Sequence, residues 1–521
     1  MAQTTLDDAR RSDSWLVIAA ACICTFVVAY NSTAILTALP AIKADLDMDA
    51  EALQWVMNIY MLAAAVLVAV MGRFADIFGK MRVFAIGLAI FALGSLGIIL
   101  AINSPLMLIG RAFQGIGAAA IFSTSIAVIT VGTPEEKRAQ GLGLWAGMVA
   151  FGFGVGPLIG GFFTVSISWR AIFAVDVLLI AVTVLLYLRI QRLGLVARDT
   201  DPNARVDYWG VALLIVTLGC FVYGLTSGHE AGWGSTQTLA LFAIALLGAV
   251  AFALNEHRAP DPLLNFSFFR HPRYTAAASG MFLTGFTLIG VLYYYNIFVQ
   301  SPGAQGYTAI QAGLSLLPCS ITMFILSVSL PRLLADYSFH WPVTIGMLMM
   351  AAGFWLLHYT TDQSGYGSIW WKLLIIGLGL GLTFALLPRV GLRGLPDKDA
   401  GQGSGIINTS LYLGCCVGIA MGGIVVARIR HDAVSNVIED LDPSMRDPDA
   451  LEDLIAHGSA TEVSEGLAKF SPDDAAKIQG AIRAILDDSF SGVMEVLTVA
   501  ALLGAVLSFF LIRGAVPKTG K

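Results

Sequence analysis

Arg111, Asp176 and Asn31 each lie inside a long apolar run, where a charged or strongly polar side chain is costly unless it is paired or hydrated. At 1.5 Å per helical residue, all three sit roughly 9–12 Å from one end of their runs. Equal depth is what side chains on different helices need in order to meet. Two chemistries fit them. One is a carboxyl group that gains and loses a proton, since burial favours the neutral acid and a nearby guanidinium favours the anion. The other is a permanent Arg–Asp pair that only holds helices together. Asn31 has no proton to exchange.

A second set acts on the backbone. Gly152, Gly156, Pro157, Gly160 and Gly161 fall within one apolar segment. In a soluble helix interior Gly costs about 1 kcal/mol and Pro about 3. In lipid, small residues let helix backbones approach closely, and neighbours can satisfy the carbonyl that proline frees. The segment therefore reads as a bendable, tightly packed transmembrane helix.

The elements that must hold these residues follow from composition. The chain has 521 residues, 57% hydrophobic and 13% charged, with mean hydropathy +0.75. A soluble domain carries roughly 25% charged residues, so a polytopic membrane protein is expected. The 54 glycines suit crowded helix contacts, and the net charge of -5 matters less than its distribution. Basic residues come in ones to threes, which argues against nucleic acid. Cys22, Cys24, Cys220, Cys319, Cys415 and Cys416 lie in apolar runs and read as small hydrophobes. No zinc-type spacing or histidine cluster suggests a metal, and no cofactor is implied.

Fourteen runs are long enough to cross a bilayer: 15–39, 53–72, 83–102, 105–129, 141–165, 170–190, 207–227, 236–256, 274–299, 309–331, 341–360, 368–389, 404–427 and 489–513. The first exceeds a signal-peptide core and reads as a span. An even number puts both termini on one side. Placing them in the cytoplasm puts 21 of the 31 Lys and Arg on cytoplasmic segments and helix ends, as the positive-inside rule requires. The runs divide as six, two and six, with charged, proline-containing joins at 191–206 and 257–273. The expected units are a bundle over 1–190, linkers and a hairpin over 191–273, and a bundle over 274–521. Arg73 to Asp76 is echoed by Arg332 to Asp336 after the corresponding span of the second half. An outer loop, 428–488, is acidic. Within it Ile478, Ile482 and Ile485 have helical spacing, so one or two short amphipathic helices are expected over the outer mouth.

Four patterns resemble the major facilitator superfamily, in its fourteen-helix drug:proton antiporter branch. Gly72, Arg73, Asp76, Gly79, Lys80 and Arg82 resemble its loop signature G-x-x-x-D-x-x-G followed by two basic residues, although Met81 occupies the second basic place and Arg82 stands one residue later. Arg111, Gln114 and Gly115 resemble R-x-x-Q-G. Gly152 to Gly161 resembles the antiporter motif G-x-x-x-G-P-x-x-G-G. Tyr30 to Pro40, with Trp55, Asn58, Tyr60 and Leu62, resembles L-D-x-T-(I/V)-V-x-x-A-L-P and W-x-x-x-Y-x-L.

Two departures matter. Asn31 stands where the family has a membrane aspartate. Asp176 stands where it usually has an asparagine, in Val175-Asp176-Val177-Leu178. The carboxylate has moved from the first span to the sixth on one reading; on the other, Arg111 and Asp176 form a structural pair. In the second half, Tyr293, Tyr294 and Asn296, then Asn408 and Tyr412, supply aromatics with sparse amides, which suits a small-molecule cavity. With Tyr30, Asn31, Gln114, Trp55 and Asn58 they are the expected cavity residues; interface packing is the alternative for each. Spans seven and eight carry no interior charge and read as a lipid-facing, structural hairpin.

The resemblance implies an all-α integral membrane protein, two six-helix bundles plus an inserted hairpin, with a site at the midplane. It implies export of lipophilic small molecules by alternating access, driven by protons, from a monomer in a bacterial cytoplasmic (inner) membrane. The alternative is a lipid or natural-product exporter, or a facilitator, with weak or non-proton coupling. No clustered nucleophile, metal ligands or paired carboxylates argue for an enzyme.

Overall fold

The computed structural model describes residues 2–196, 207–259, 262–301, 303–333, 339–393, 395, 400–440 and 472–512. Regular structure among them is helical. The first six helices are α1 (Ala2–Leu46), α2 (Ala50–Phe78), α3 (Lys80–Ile99), α4 (Ser104–Gly132), α5 (Glu135–Ser166) and α6 (Arg170–Leu193). A hairpin, α7 (Tyr208–Ala231) and α8 (Thr236–Arg258), is followed by a 3-10 turn at Phe266–Arg270. The rest are α9 (Pro272–Gln300), α10 (Ala309–Ser315), α11 (Leu317–Leu333), α12 (His340–His358), α13 (Tyr366–Leu392), α14 (Ala400–Asp440) and α15 (Pro472–Leu511).

Thirteen described segments are long and apolar enough to cross a membrane, and α10–α11, bent by 45°, makes a fourteenth. The bend falls beside Pro318, which has no N–H to give the preceding turn. Two boundaries depart from expectation. α1 continues through Pro40 to Leu46. Its end is tied to the start of α6, where Asp45 Oδ2 accepts from Arg170 Nη1 at 2.5 Å and from Trp169 Nε1 at 3.1 Å. The expected amphipathic segment is no separate helix. It is the opening of α15, with Ile478 and Ile485 buried. Residues 441–471 of the expected outer loop, part of the join at 191–206, and Asp336 of the internal echo lie outside the described residues.

α1 packs on α5 and α6, α4 on α2 and α3, and α3 on α6, forming one bundle. α9 packs on α14, α13 and α15, and α12 on α13 and α15, forming the other. The bundles meet along α2–α14 and along α5 with α10 and α11. The hairpin is only half as expected. α8 exposes Leu246 and Leu247, but α7 lies against both α2 and α14. There Trp55 packs on Tyr223 and Asn58 Nδ2 donates to Thr226 Oγ1 at 3.2 Å. A helix free of charge can face lipid or fill a seam, and composition does not distinguish the two.

Candidate functional site

Four helices carry Asn31, Ser95, Arg111, Gln114 and Asp176 into one fully buried polar cluster. Arg111 Nη1 donates to Asn31 Oδ1 at 2.6 Å and to Gln114 Oε1 at 2.9 Å. Its Nε donates to the Val56 carbonyl of α2 at 2.9 Å. Asn31 Nδ2 donates to Asp176 Oδ2 at 2.5 Å. Gln114 Nε2 donates to the same oxygen at 3.2 Å and to Ser95 Oγ at 2.8 Å. The guanidinium also lies 4.2 Å from the centre of the Tyr60 ring, a favourable face for a cation.

The arrangement corrects the idea of a direct Arg–Asp pair. Arg111 and Asp176 are joined through two amides, Asn31 and Gln114, each with its carbonyl toward the cation and its NH2 toward the carboxylate. An amide suits this place because it carries an acceptor and donors at once. Arg111 Nη2 and Asp176 Oδ1 are buried and have no hydrogen-bond partner. Each is a polar atom of the cluster left without a protein partner among the described residues.

The glycine segment lies directly beside it. A Cβ at Gly152 would fall 2.9 Å from the Phe26 carbonyl of α1. At Gly156 it would overlap Thr33 Oγ1, and at Gly160 the Ala34 carbonyl. Gly161 is held as closely against the Ala309 carbonyl of α10. Pro157 frees the carbonyl of Phe153, four residues back, and Thr33 Oγ1 donates to that oxygen at 3.1 Å. Thr37 Oγ1 donates to the Pro157 carbonyl at 3.2 Å. So one face of α1 reaches Asp176 through Asn31, and another holds α5 at Pro157. Thr33, Thr37 and Ser95 were not foreseen as site residues. Thr33 fills the threonine of the L-D-x-T pattern, and Thr37 follows it at helical spacing.

Between α2 and α3, Gly79 adopts φ 96, the region in which only glycine is relaxed, and its N–H closes α2 on the Ala75 carbonyl at 3.0 Å. Met81 is buried and Arg82 exposed, so the basic side chain does fall one residue late. Asp76 is exposed and Lys80 half-buried, whereas a Cβ at Gly72 would meet open space.

The expected cavity residues scatter. Asn31 and Gln114 belong to the polar cluster, and Tyr30 is turned to α6, where its OH donates to the Ile172 carbonyl at 2.8 Å. Trp55 and Asn58 face the hairpin. Tyr294 OH donates to the Ile419 carbonyl of α14 at 2.5 Å, with Tyr293 against its ring. Asn296 Nδ2 donates to the Leu292 carbonyl of its own helix. Tyr412 meets Phe122 of the first bundle edge-on at 6.0 Å between ring centres, and its buried OH has no partner. Asn408 is half-buried on the same helix.

Comparison with known proteins adds to this geometry. The profile of the family described as Major Facilitator Superfamily matches residues 21–419. Multidrug resistance protein Stp of Mycobacterium tuberculosis (strain ATCC 25618 / H37Rv) is 30% identical over 409 residues, covering 77% of this chain and 74% of that one. The cephamycin export protein CmcT of Amycolatopsis lactamdurans is 32% identical over 416 residues, 79% and 85% of the two chains. The tetracenomycin C resistance and export protein of Streptomyces glaucescens is 29% identical over 425 residues, 80% and 77%. Among solved structures, a bacterial homolog of the human lysosomal transporter Spinster, inward-facing and unoccupied, superposes with TM-score 0.61 at 15% identity, covering 96% of this chain and 97% of that one.

Proposed function

The chain belongs to the major facilitator superfamily and is a multi-pass membrane transporter rather than an enzyme, and on that premise we propose that it exports lipophilic, drug-like small molecules from the cytoplasm in exchange for protons. Relatives named for resistance and export support the direction and the substrate class. The observation that carries the coupling is the buried link from Asp176 through Asn31 to Arg111.

Asp176 takes up a proton from the outer side. Protonation removes the negative partner of Arg111 and weakens the hold of Asn31 Nδ2 on Oδ2. α1 is then free to shift against α6. Because Thr33 and Thr37 tie α1 to the turn of α5 around Pro157, and α5 packs on α10, the shift reaches the seam between the bundles. Substrate occupies the space between the halves near Tyr412 and Asn408. The protein works as a monomer in a bacterial cytoplasmic membrane, with both termini in the cytoplasm.

The test is efflux from proteoliposomes under an imposed pH gradient, with substrates first found by growth of an expressing strain on a panel of toxic compounds. Wild type should respond to the gradient and to an uncoupler, and Asp176→Asn to neither. Equal gradient response in Asp176→Asn removes Asp176 from the coupling. A second reading, export of a lipid or natural product with weak or non-proton coupling, is favoured by Asn31 in place of the family aspartate. Efflux indifferent to the uncoupler in wild type would select it.

A further inference from the structure

Far from the polar cluster, a carboxylate stands on the lipid side of the second bundle. Glu495 of α15 has a side chain 56% exposed, within a segment apolar enough to cross the membrane. It opens into a groove of about 570 Å³ between α12 and α15, whose other walls include Leu348, Ala352, Trp355, Val499 and Leu502. The two helices run antiparallel here, since His340 at the start of α12 meets Phe509 near the end of α15. Glu495 therefore sits opposite His358, the last residue of α12, and the groove descends from there along hydrocarbon-facing side chains.

A carboxylate facing lipid is costly without a counter-charge. What it has is incomplete. Its Oε1 is 3.5 Å from His358 Nδ1, and that nitrogen is already 2.7 Å from Ser491 Oγ. The same nitrogen also lies 3.3 Å from the Ser491 carbonyl oxygen, so Ser491 engages it with both its hydroxyl and its backbone. Trp355 stacks on the imidazole with ring centres 5.3 Å apart, fixing its plane. The groove thus presents an acceptor carboxylate at the helix end, its nearest basic group already engaged by Ser491, with an apolar trough below it.

We propose that this groove binds an aminophospholipid, with its ammonium on Glu495 and an acyl chain along Ala352 and Leu502. The charge pattern selects a zwitterion carrying N–H donors. An anionic head would face Glu495 with like charge. The assignment needs only that α12 and α15 are membrane-embedded, so it stands or falls apart from the coupling scheme.

Native mass spectrometry of the full-length protein with phosphatidylethanolamine or phosphatidylglycerol at equal concentration tests it. Wild type should retain the ethanolamine lipid at least about tenfold better, a difference of 1.4 kcal/mol. Glu495→Gln should lose that preference, and Ala352→Phe, a change at an exposed position that fills the trough without touching the carboxylate, should lose the lipid. Undiminished retention by Glu495→Gln, or equal retention of the glycerol lipid by wild type, overturns the proposal. So does Glu495-dependent binding of tetraphenylphosphonium without binding of the ethanolamine lipid, which would make the groove a port for cationic substrates.

Discussion

The two bundles spend their buried polar groups differently. In the first, side chains bond across helices: Asn31 to Asp176, Arg111 to Asn31 and to the backbone of α2, Gln114 to Ser95, Thr33 and Thr37 to α5. In the second, most bond within their own helix: Thr284 to Gly280, Thr287 to Leu283, Asn296 to Leu292, Thr383 to Gly379. The exceptions include tyrosines that reach a neighbouring backbone or hydroxyl, such as Tyr274 to Gly403 and Tyr295 to Ser315, together with Lys372 to Thr360 and His340 to the Phe509 carbonyl. Cross-helix bonds between charged groups make relative helix position depend on protonation. Self-satisfied hydroxyls leave helix position to packing alone. In the first bundle, then, helix contacts run through a buried charged network; in the second they rest more on packing.

The largest expected effect breaks that contrast at its source. Asp176→Asn leaves Arg111 buried without a negative partner and should cost about 3 kcal/mol or more, read as a lower melting temperature in detergent. The exchange Asn31→Asp with Asp176→Asn restores one carboxylate to the cluster and should recover most of it. If the exchange is as unstable as the single variant, the cluster is not a charge-balanced unit.

Next comes Gly160→Leu, which drives a side chain into the Ala34 carbonyl. Overpacking of this kind costs about 1–3 kcal/mol and should reduce folded yield in membranes. Normal yield and melting would mean that α1 and α5 are not locked together. Thr33→Val is smaller. It strips the hydrogen bond from the Phe153 carbonyl that Pro157 already deprives, for about 1 kcal/mol. The threonine should matter less in a Pro157→Ala background, where the helix supplies its own N–H, and a double-mutant cycle reads the difference. Smallest is Asn296→Ala in the second bundle, which should stay within about 1 kcal/mol, because it removes a bond within one helix. A loss as large as that of Asp176→Asn would erase the distinction between the bundles.

Much of this was legible in the residues. Span number followed from run length, and Asn31, Arg111 and Asp176 could be placed at one depth because rise per residue is constant. Rotation about the helix axis was not legible. Gln114, Trp55 and Asn58 are expected to line a central cavity, yet the first turns into the polar cluster and the other two toward Tyr223 and Thr226. An almost uniformly apolar helix has no polar face to announce which side is buried. Ser95 was equally silent, since a lone serine in a membrane helix usually bonds its own backbone, and this one also does, to Phe91. The length of α1 past Pro40 depended on Asp45 finding Trp169 and Arg170, a contact between residues far apart in the chain.

Infrared difference spectroscopy of the protein in lipid, between acid and alkaline pH, reads the protonation of Asp176 most directly. Wild type should show the band of a buried carboxyl group that disappears on alkalinisation, that is missing from Asp176→Asn, and that returns when Asn31→Asp is added. A band of equal size in Asp176→Asn, or no titrating carboxyl in wild type across the pH range in which efflux runs, would contradict it.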